Sequence, residues 1–277
     1  MRPLVIALPL GAAVLHATWN AALRSSADRL WFVTVMSFAT TCAAVPLVLL
    51  LPAPLKGSWV LLGLSALLQV VYSVLLAYAY ALGELGQIYP IVRGSVPLLV
   101  SAGAFLLAGQ RLGSLALLGI ALISAAIISQ ASRHAERRAL THAIVTALFV
   151  AAYVTADALG VRLAGNPQSY AAWIWVIYGV LMPLGFFLLR RRIVPSGHQA
   201  RDTAKAIAGG LLSFGSYGAI IAALALGNVG PIAALRETSI VFSALIGRVF
   251  LGEALTWRRA LVCLSVTAGA VLIGYAR

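Results

Sequence analysis

Charged side chains are scarce in this sequence, and acidic ones are the scarcest. Only 10% of the 277 residues are Asp, Glu, Lys or Arg, and just 7 are Asp or Glu, whereas 62% are hydrophobic. A soluble domain carries about 25% charged residues. Because the chain lacks the polar surface that a water-soluble fold requires, we conclude that its apolar residues face lipid.

Motifs that hold metals, nucleotides or catalytic groups are also lacking. The 2 cysteines, Cys42 and Cys263, lie in apolar segments, with neither a CxxC pair nor a Cys/His cluster near them. The sequence contains no P-loop, dinucleotide-binding fingerprint, HExxH motif or nucleophile elbow. We therefore expect no metal, no cofactor and no catalytic residue, and direct driving by ATP is disfavoured.

The basic residues give the chain a net charge of +13, which in a soluble protein would suggest nucleic-acid binding. Here the cations mostly lie between apolar runs, where they face lipid headgroups and set the topology. Membrane lipid, and not nucleic acid, is the predicted partner.

Apolar runs long enough to cross a bilayer dominate the chain. A transmembrane helix needs about 20 such residues, and this measure predicts an all-α integral membrane protein with ten transmembrane helices. The first run continues to Leu23, so we expect it to be retained as a span and not cleaved as a signal peptide. The predicted spans are 3–23, 30–51, 58–82, 86–108, 113–130, 140–163, 168–189, 206–227, 231–251 and 257–276.

The two halves of the chain share weak internal similarity. Residues 79–86 read AYALGELG and residues 223–230 read ALALGNVG, an offset of 144. Residues 109–129 match residues 252–272 at an offset of 143. Similar segments at nearly constant spacing indicate an internal repeat.

The repeat divides the predicted spans equally. At the offset of 143, Arg93 falls on Arg236. We predict two five-helix repeats, residues 1–132 and residues 133–277. Because each half has an odd number of spans, the second enters the membrane from the opposite side, which is the inverted-repeat plan of many transporters.

Short motifs carry a resemblance to a known family. The turn Gly252-Glu253-Ala254-Leu255 corresponds to Gly109-Gln110-Arg111-Leu112 in the first half, and residues 89–94 read YPIVRG. With two five-helix halves, these motifs make the chain resemble the drug/metabolite transporter superfamily, and within it the ten-helix EamA-type transporters. Gln110 departs from the family pattern, which has an acid at this place.

The resemblance implies a multi-pass transporter of the bacterial inner membrane that exports small metabolites. The runs LHATWN at 15–20 and IYPIVRG at 88–94 are similar to a subgroup of small-metabolite permeases, some of them linked to phosphonate use. It also implies cytoplasmic termini. The charges imply the opposite, because the predicted face with the termini carries 5 cations and the other face 12. By the positive-inside rule we predict extracytoplasmic termini.

Four charged residues inside the spans are candidates for substrate binding or coupling: Arg93, Asp157, Arg236 and Glu237. Such a residue at the bilayer centre costs about 2.5–3.5 kcal/mol, so it marks a functional or structural need. The arginines suit an anionic group of a substrate; alternatively, Glu237 forms a buried ion pair with one of them. Asp157 is either a proton carrier or a partner of Arg162 or Arg236 that holds helices together.

Two prolines flank the first of these arginines. Pro90 and Pro97 each lack a backbone donor and disturb the helix. In a membrane, freed backbone is tolerated where protein or a water-lined cavity satisfies it. We predict that they act as a hinge and that Arg93 faces the cavity; the alternative is a packing kink, with Arg93 reaching the headgroups.

Uncharged polar and aromatic residues complete the predicted site. His16, Trp19 and Asn20 share one face of the first span. His16 either gates transport or carries protons, or it is a packing or hydrogen-bonding residue. The other predicted lining residues are Gln69, Tyr72, Tyr80, Tyr89, Tyr153 and Tyr217. Tryptophans near the span ends are assigned to the membrane interface, namely Trp31, Trp59, Trp173, Trp175 and Trp257.

Together these features predict a secondary transporter for a small polar or zwitterionic metabolite, such as an amino acid, an organic acid or a phosphonate. It would work by alternating access around a central cavity, as a monomer or a homodimer, with protons as a further candidate partner. The alternative is an intramembrane enzyme acting on a lipid or a small amphiphile. The sequence gives this alternative little support, because such enzymes usually have clustered acids, and only Asp157 and Glu237 are acids clearly inside the spans.

Overall fold

The computed structural model describes residues 3–24, 26, 28–81, 85–131, 137–190, 200–250 and 254–276. Almost all of these residues are helical. A 3₁₀ turn, Lys56–Ser58, leads into the third helix. The helices are α1 (Pro3–Arg24), α2 (Arg29–Leu50), α3 (Trp59–Ala81), α4 (Leu85–Ala108), α5 (Ser114–Ile128), α6 (Arg137–Leu163), α7 (Pro167–Arg190), α8 (Ala200–Leu226), α9 (Val229–Arg236), α10 (Ser239–Phe250) and α11 (Trp257–Tyr275).

The helices have the length and composition of a multi-pass membrane protein. Within the described residues, 9 segments are long and apolar enough to cross a membrane, and α9 and α10 together make up one of them. α5 is a shorter apolar helix of 15 residues, about 22 Å long at 1.5 Å per residue. The predicted all-α membrane fold is confirmed, with a fifth helix shorter than the expected span 113–130.

The ninth predicted span is not one continuous helix. α9 ends at Arg236 and α10 begins at Ser239. Between them, the N–H groups of Glu237 and Thr238 donate to carbonyls three residues earlier, at 3.0 and 3.1 Å, and Thr238 Oγ1 donates to Leu235 O at 2.7 Å. These bonds satisfy backbone groups that a break inside a membrane bundle would otherwise expose. The predicted span 231–251 corresponds to the membrane-spanning segment Val229–Val249, but no Gly or Pro in the sequence marks the break inside it.

The fourth span, by contrast, is unbroken. α4 runs through both Pro90 and Pro97, and the Pro97 carbonyl accepts a hydrogen bond from Ser101 Oγ at 2.6 Å. The interrupted span is therefore in the second half of the chain, where no proline flanks the arginine. A hinge role for the two prolines stays a prediction.

The helices pack in pairs drawn from the two halves. α1 packs on α8, α2 on α7 and α8, α3 on α6 and α7, α4 on α6, and α5 on α11. Because successive spans alternate in direction, the α2–α3 and α6–α7 connections lie at one end of the bundle, where Leu55 N–H donates to Ala164 O at 3.1 Å. We call this the α2–α3 end, and the opposite one the α1–α2 end.

Apolar side chains lie both inside the bundle and on its outside. Leu62, Ile174 and Ile221 are fully buried, whereas Leu50 and Val60 are each 80% exposed. In water, so many exposed large apolar groups would be an aggregation liability. They suit a surface that faces lipid.

Candidate functional site

A cavity lies inside the bundle, from its middle toward the α1–α2 end. The empty space in and around it amounts to about 820 Å³, including open solvent at its mouth. Seven helices contribute to it, α1 to α3 and α6 to α9. The lining residues are His16, Trp19, Leu23, Arg29, Val33, Met36, Ser37, Thr40, Gln69, Tyr72, Ser73, Leu76, Tyr153, Trp175, Tyr178, Ser213, Ser216, Tyr217 and Arg236.

Aromatic rings form much of the cavity wall. The Trp175 ring lies 4.9 Å from the Tyr217 ring and 5.5 Å from the Tyr178 ring, centroid to centroid and edge to face. The Tyr72 and Tyr153 rings are 5.8 Å apart. Ring pairs at such distances stabilise one another, so they present a firm apolar surface to a ligand.

The predicted polar face of α1 reaches the cavity. His16 and Trp19 both line it, and their rings are 4.7 Å apart, edge to face. Asn20 is buried one turn further along the helix, with its Nδ2 2.8 Å from His16 Nε2. Asn20 therefore orients the His16 ring and does not itself line the cavity.

Asp157 lies behind the cavity wall. The residue is 1% exposed, and its carboxylate accepts hydrogen bonds from Ser65 Oγ at 2.5 Å and from Tyr217 OH at 2.8 Å. Gln69 Nε2 donates to Ser65 Oγ and to Tyr217 OH, each at 3.1 Å. Because Gln69 and Tyr217 line the cavity, this network connects the buried carboxylate of α6 to the cavity through α3 and α8.

The two suggested ionic partners of Asp157 are placed differently. Arg162 Nη2 donates to Gly227 O at 2.7 Å, and its Nε to Leu224 O at 3.5 Å, at the end of α8. Arg236 lines the cavity and is close enough to Asp157 for a Coulombic attraction. Arg162 therefore caps a helix, whereas Arg236 is a cavity residue.

Arg93 and Glu237 pair with each other away from the cavity. Arg93 Nε lies 2.9 Å from Glu237 Oε2, and Arg93 Nη2 donates to Ser239 Oγ at 3.0 Å. Neither charged residue is among those that line the cavity. This is the buried ion pair that the sequence left as the alternative, and the cavity gives no support to substrate binding by Arg93.

The remaining predicted site residues lie in α3 and α4. The side chains of Tyr80 and Tyr89 fall outside the described ones, so their roles stay predictions. Pro90 and Pro97 are in α4, and no described residue of that helix lines the cavity.

A second, mostly apolar crevice lies toward the α2–α3 end, between α1, α2, α7 and α8. Trp175 is buried, at 6% exposure, and lines both the crevice and the cavity. Its backbone is held by Thr41 Oγ1, which donates to Trp175 O at 2.8 Å. Trp175 is therefore a residue that the two spaces share. The crevice is lined by Leu8, Leu47, Gln168, Ala171, Ala172, Trp175, Phe214, Gly215, Gly218, Ala219 and Ala222.

Comparison with known proteins adds a family to this architecture. The sequence model of the EamA-like transporter family matches residues 137–275, half of the chain. The chain belongs to the EamA-like transporter family. A solved structure described as the crystal structure of a protein aligns with a TM-score of 0.79 and 17% identity, over 98% of this EamA-like chain and 96% of that chain, which shows a shared fold. No curated protein matches the sequence.

Several lining residues of this EamA-like transporter were not among the predicted ones. Trp175, expected at the membrane interface, is buried in the cavity wall, and Arg29, expected in a connecting loop, begins α2 and lines the cavity. Ser73 Oγ and Tyr178 OH, 2.8 Å apart, also line it. The spacing of Trp175 and Tyr178, three residues apart on one helix face, is the sequence signal that could have placed them together.

The chemistry available to this EamA-like transporter is binding and orientation. Its described residues contain no group of three or more His, Cys, Asp or Glu side chains that could hold a metal ion. The cavity instead offers guanidinium groups, hydroxyl groups, an imidazole and aromatic faces. Such a set can hold a small polar molecule inside an apolar bundle.

Proposed function

We propose that the chain is a secondary transporter that exports a small polar or zwitterionic metabolite, such as an amino acid, an organic acid or a phosphonate, through the cavity. Membership of the EamA-like transporter family supports a transport function. The cavity is the main support for the proposal, because it brings His16, Gln69 and Arg236 together with hydroxyl groups and aromatic rings inside the bundle. Polar groups inside a membrane bundle are unfavourable unless they pair with one another or face a water-filled pathway, and those that line the cavity are of the second kind.

We further propose that residues 1–132 and 133–277 are inverted repeats. In such a repeat, α1, α2 and α3 correspond to α6, α7 and α8. The contact of α1 with α8 should then have a counterpart between α6 and α3, and the contact of α2 with α8 one between α7 and α3. Both counterparts occur. The α2–α7 and α5–α11 contacts map onto themselves. The family match spans the second half alone, which supports a five-span unit.

Alternating access requires the substrate site to open toward one side at a time. The cavity and the crevice point to opposite ends of the bundle and share Trp175. We propose that they are the two access routes and that rocking of the halves opens each in turn.

The direction of transport follows from the proposed orientation. With 12 cations on the face of the α1–α2 end against 5 on the other, the positive-inside rule puts the α1–α2 end in the cytoplasm. The cavity then loads from the cytoplasm, as an exporter requires. An alkaline phosphatase fused to the C-terminus is expected to be active, and an inactive fusion would reverse both the orientation and the direction.

A matched pair of substitutions on α8 tests whether the cavity is the pathway. Ser213 lines the cavity, whereas Leu211 is 54% exposed. In proteoliposomes assayed with labelled amino acids, organic acids and phosphonates, we expect wild type and Leu211→Trp to move at least one compound unchanged. Ser213→Trp is expected to abolish that flux. Undiminished flux in Ser213→Trp would contradict the proposed pathway, and chemical conversion of the compound would favour the intramembrane enzyme.

A further inference from the structure

We propose that Asp157 is a proton-binding site and that Gln69 transmits its protonation to the cavity, so that a proton and a transported amino compound exclude each other. The proton site depends only on a hydrogen-bond network that joins α3, α6 and α8. The exclusion also rests on the proposed transport function.

The buried side chain of Asp157 belongs to a closed ring of four side chains. Gln69 Nε2 donates to Ser65 Oγ and to Tyr217 OH, each at 3.1 Å. Ser65 Oγ donates to Asp157 Oδ1 at 2.5 Å, and Tyr217 OH donates to Oδ2 at 2.8 Å. A hydroxyl group has one hydrogen and an amide nitrogen has two, so the ring uses every hydrogen of its three donor groups. Both oxygens of Asp157 therefore accept, which is the bonding pattern of the charged carboxylate.

Protonation of Asp157 cannot leave this ring unchanged. A proton on Oδ2 is donated to Tyr217 OH, and the hydrogen of that hydroxyl group must then turn to another acceptor. The amide nitrogen of Gln69 cannot accept, but the amide oxygen can. Rotation of the amide brings Oε1 to the Tyr217 hydroxyl group and avoids the cost of an unsatisfied buried donor. Protonation therefore reverses the hydrogen bonds between Tyr217 and Gln69.

The surroundings of Asp157 differ from those of Glu237, a second buried acid. Arg93 Nε lies 2.9 Å from Glu237 Oε2, whereas the groups that bond to Asp157 are neutral hydroxyl groups. Arg236 attracts the Asp157 carboxylate, but burial among neutral groups penalises its charge. Because these two effects oppose each other, gain and loss of a proton are both feasible. The titratable or charged side chains close to Asp157 are Tyr170 of α7, Tyr217 of α8 and Arg236 of α9.

Gln69 can carry this change to the cavity, because it lines the cavity whereas Asp157 lies behind the wall. When Asp157 is charged, the ring holds both N–H groups of the amide, and the amide oxygen remains to accept a hydrogen bond from a bound molecule. When Asp157 is protonated, the amide oxygen is used in the ring and the amide presents N–H groups instead. An amino group donates hydrogen bonds and is attracted by a nearby carboxylate. It therefore binds the charged form, and by linkage its binding releases the proton.

Infrared spectroscopy of the detergent-purified full chain tests the proton site. The C=O band of protonated carboxyl groups is followed as the pH is lowered, and the contribution of Asp157 is the part that Asp157→Asn removes. Gln69→Leu frees the hydroxyl groups of Ser65 and Tyr217 from their fixed direction, so the charged form loses support. We expect the Asp157 band to appear about one pH unit higher in this variant than in wild type. Gln130→Leu, at an exposed position after α5, is the matched control and should leave the band unchanged.

Tyr217→Phe keeps this test decisive if Asp157→Asn does not fold. It removes the hydrogen bond to Oδ2 and is expected to change the frequency of the Asp157 band. The proton site would be overturned if neither Asp157→Asn nor Tyr217→Phe alters the band at any pH. Equal pH midpoints in Gln69→Leu and Gln130→Leu would overturn the role of Gln69.

The exclusion is tested in proteoliposomes that enclose a fluorescent pH indicator. The labelled amino acids of the flux assay are added outside. We expect wild type and Gln130→Leu to take up at least one of them while the interior becomes more alkaline, because a proton leaves as the amino acid enters. Asp157→Asn and Gln69→Leu are expected to lose this pH change.

The outcomes separate failure of the exclusion from failure of the transport function. Amino-acid uptake without a pH change, or with acidification of the interior, would overturn the exclusion and leave the transporter standing. If wild type moves none of the amino acids, the exclusion is overturned. The transport function fails as well only if the organic acids and phosphonates also do not move. The infrared titration decides the proton site in each case.

Discussion

Arg93 Nε lies 2.9 Å from Glu237 Oε2, and the two side chains are 7% and 2% exposed. The pair joins α4, which is unbroken, to the interruption between α9 and α10. Arg93 Nη2 also donates to Ser239 Oγ, the first residue of α10. One guanidinium group therefore contacts both the break and the helix that follows it, and it holds the interrupted span against the first half of the chain.

Removing this guanidinium group is expected to destabilise the protein. Arg93→Ala leaves the Glu237 carboxylate buried without its partner, which costs about 3–5 kcal/mol. The double variant Arg93→Leu with Glu237→Leu is expected to recover much of the loss, because an apolar replacement of a buried ion pair is often neutral. The Tm of the detergent-purified protein measures both effects. Arg248→Ala, at an exposed position of α10, is the control, and a Tm for Arg93→Ala equal to the control's would contradict the structural role.

The hydrogen bonds to Asp157 give a second prediction. Ser65→Ala and Tyr217→Phe each remove one hydrogen-bond donor to the buried Asp157 side chain, and leaving a buried polar group unsatisfied costs about 1–3 kcal/mol. We expect both variants to unfold at lower temperature than wild type. Ser124→Ala serves as the control, because Ser124 is buried and its Oγ has no hydrogen-bond partner in the described chain. If Ser124→Ala lowers Tm as much as Ser65→Ala does, the hydrogen bond to Asp157 is not the cause of the lost stability.

The features of this fold that follow from local apolar length could be predicted. The seventh span, expected at 168–189, is Pro167–Arg190 in the structure, because a run of that composition has few alternatives to a membrane helix. The shared face of His16 and Trp19 was also predictable, since helical spacing alone places the two side chains together. Both are short-range properties of the chain.

The features of this fold that depend on tertiary contacts could not be predicted from the sequence. The break at Glu237 has no Gly or Pro, and it is held by Arg93 from the other half of the chain. Trp175 lies in the first half of α7 and was assigned to the interface, but Thr41 of α2 bonds its carbonyl, its ring packs on Tyr217 of α8, and the residue is buried. Arg29 adjoins a loop, and it becomes a lining residue because the cavity extends to the α1–α2 end.

Because Trp175 lines both the cavity and the crevice, we predict that its ring limits leakage. Trp175→Ala removes a buried ring that both spaces share, and we expect a several-fold faster loss of a transported compound from preloaded proteoliposomes. Trp175→Phe keeps a ring there and is expected to stay near the wild-type leak rate. Trp257→Ala, which truncates a side chain that is 72% exposed, provides the baseline. Leakage through Trp175→Ala no faster than this baseline would mean that other residues separate the two spaces.

Gln110 supplies a last prediction, at the position that corresponds to Glu253 in the internal repeat. Its Oε1 accepts a hydrogen bond from Val229 N–H at 3.1 Å, so it caps the first turn of α9. Gln110→Leu removes this acceptor and is expected to lower the free energy of unfolding by about 1 kcal/mol. Gln110→Glu keeps an acceptor oxygen and adds a negative charge near a helix N-terminus, which favours the folded state by about 0.3–1 kcal/mol. The Tm of Gln110→Glu should therefore equal or exceed that of wild type, and the Tm of wild type should exceed that of Gln110→Leu. Gln130→Leu, at an exposed position just after α5, should leave Tm unchanged, and a Glu variant less stable than the Leu variant would show that the side chain at 110 does not act as a cap.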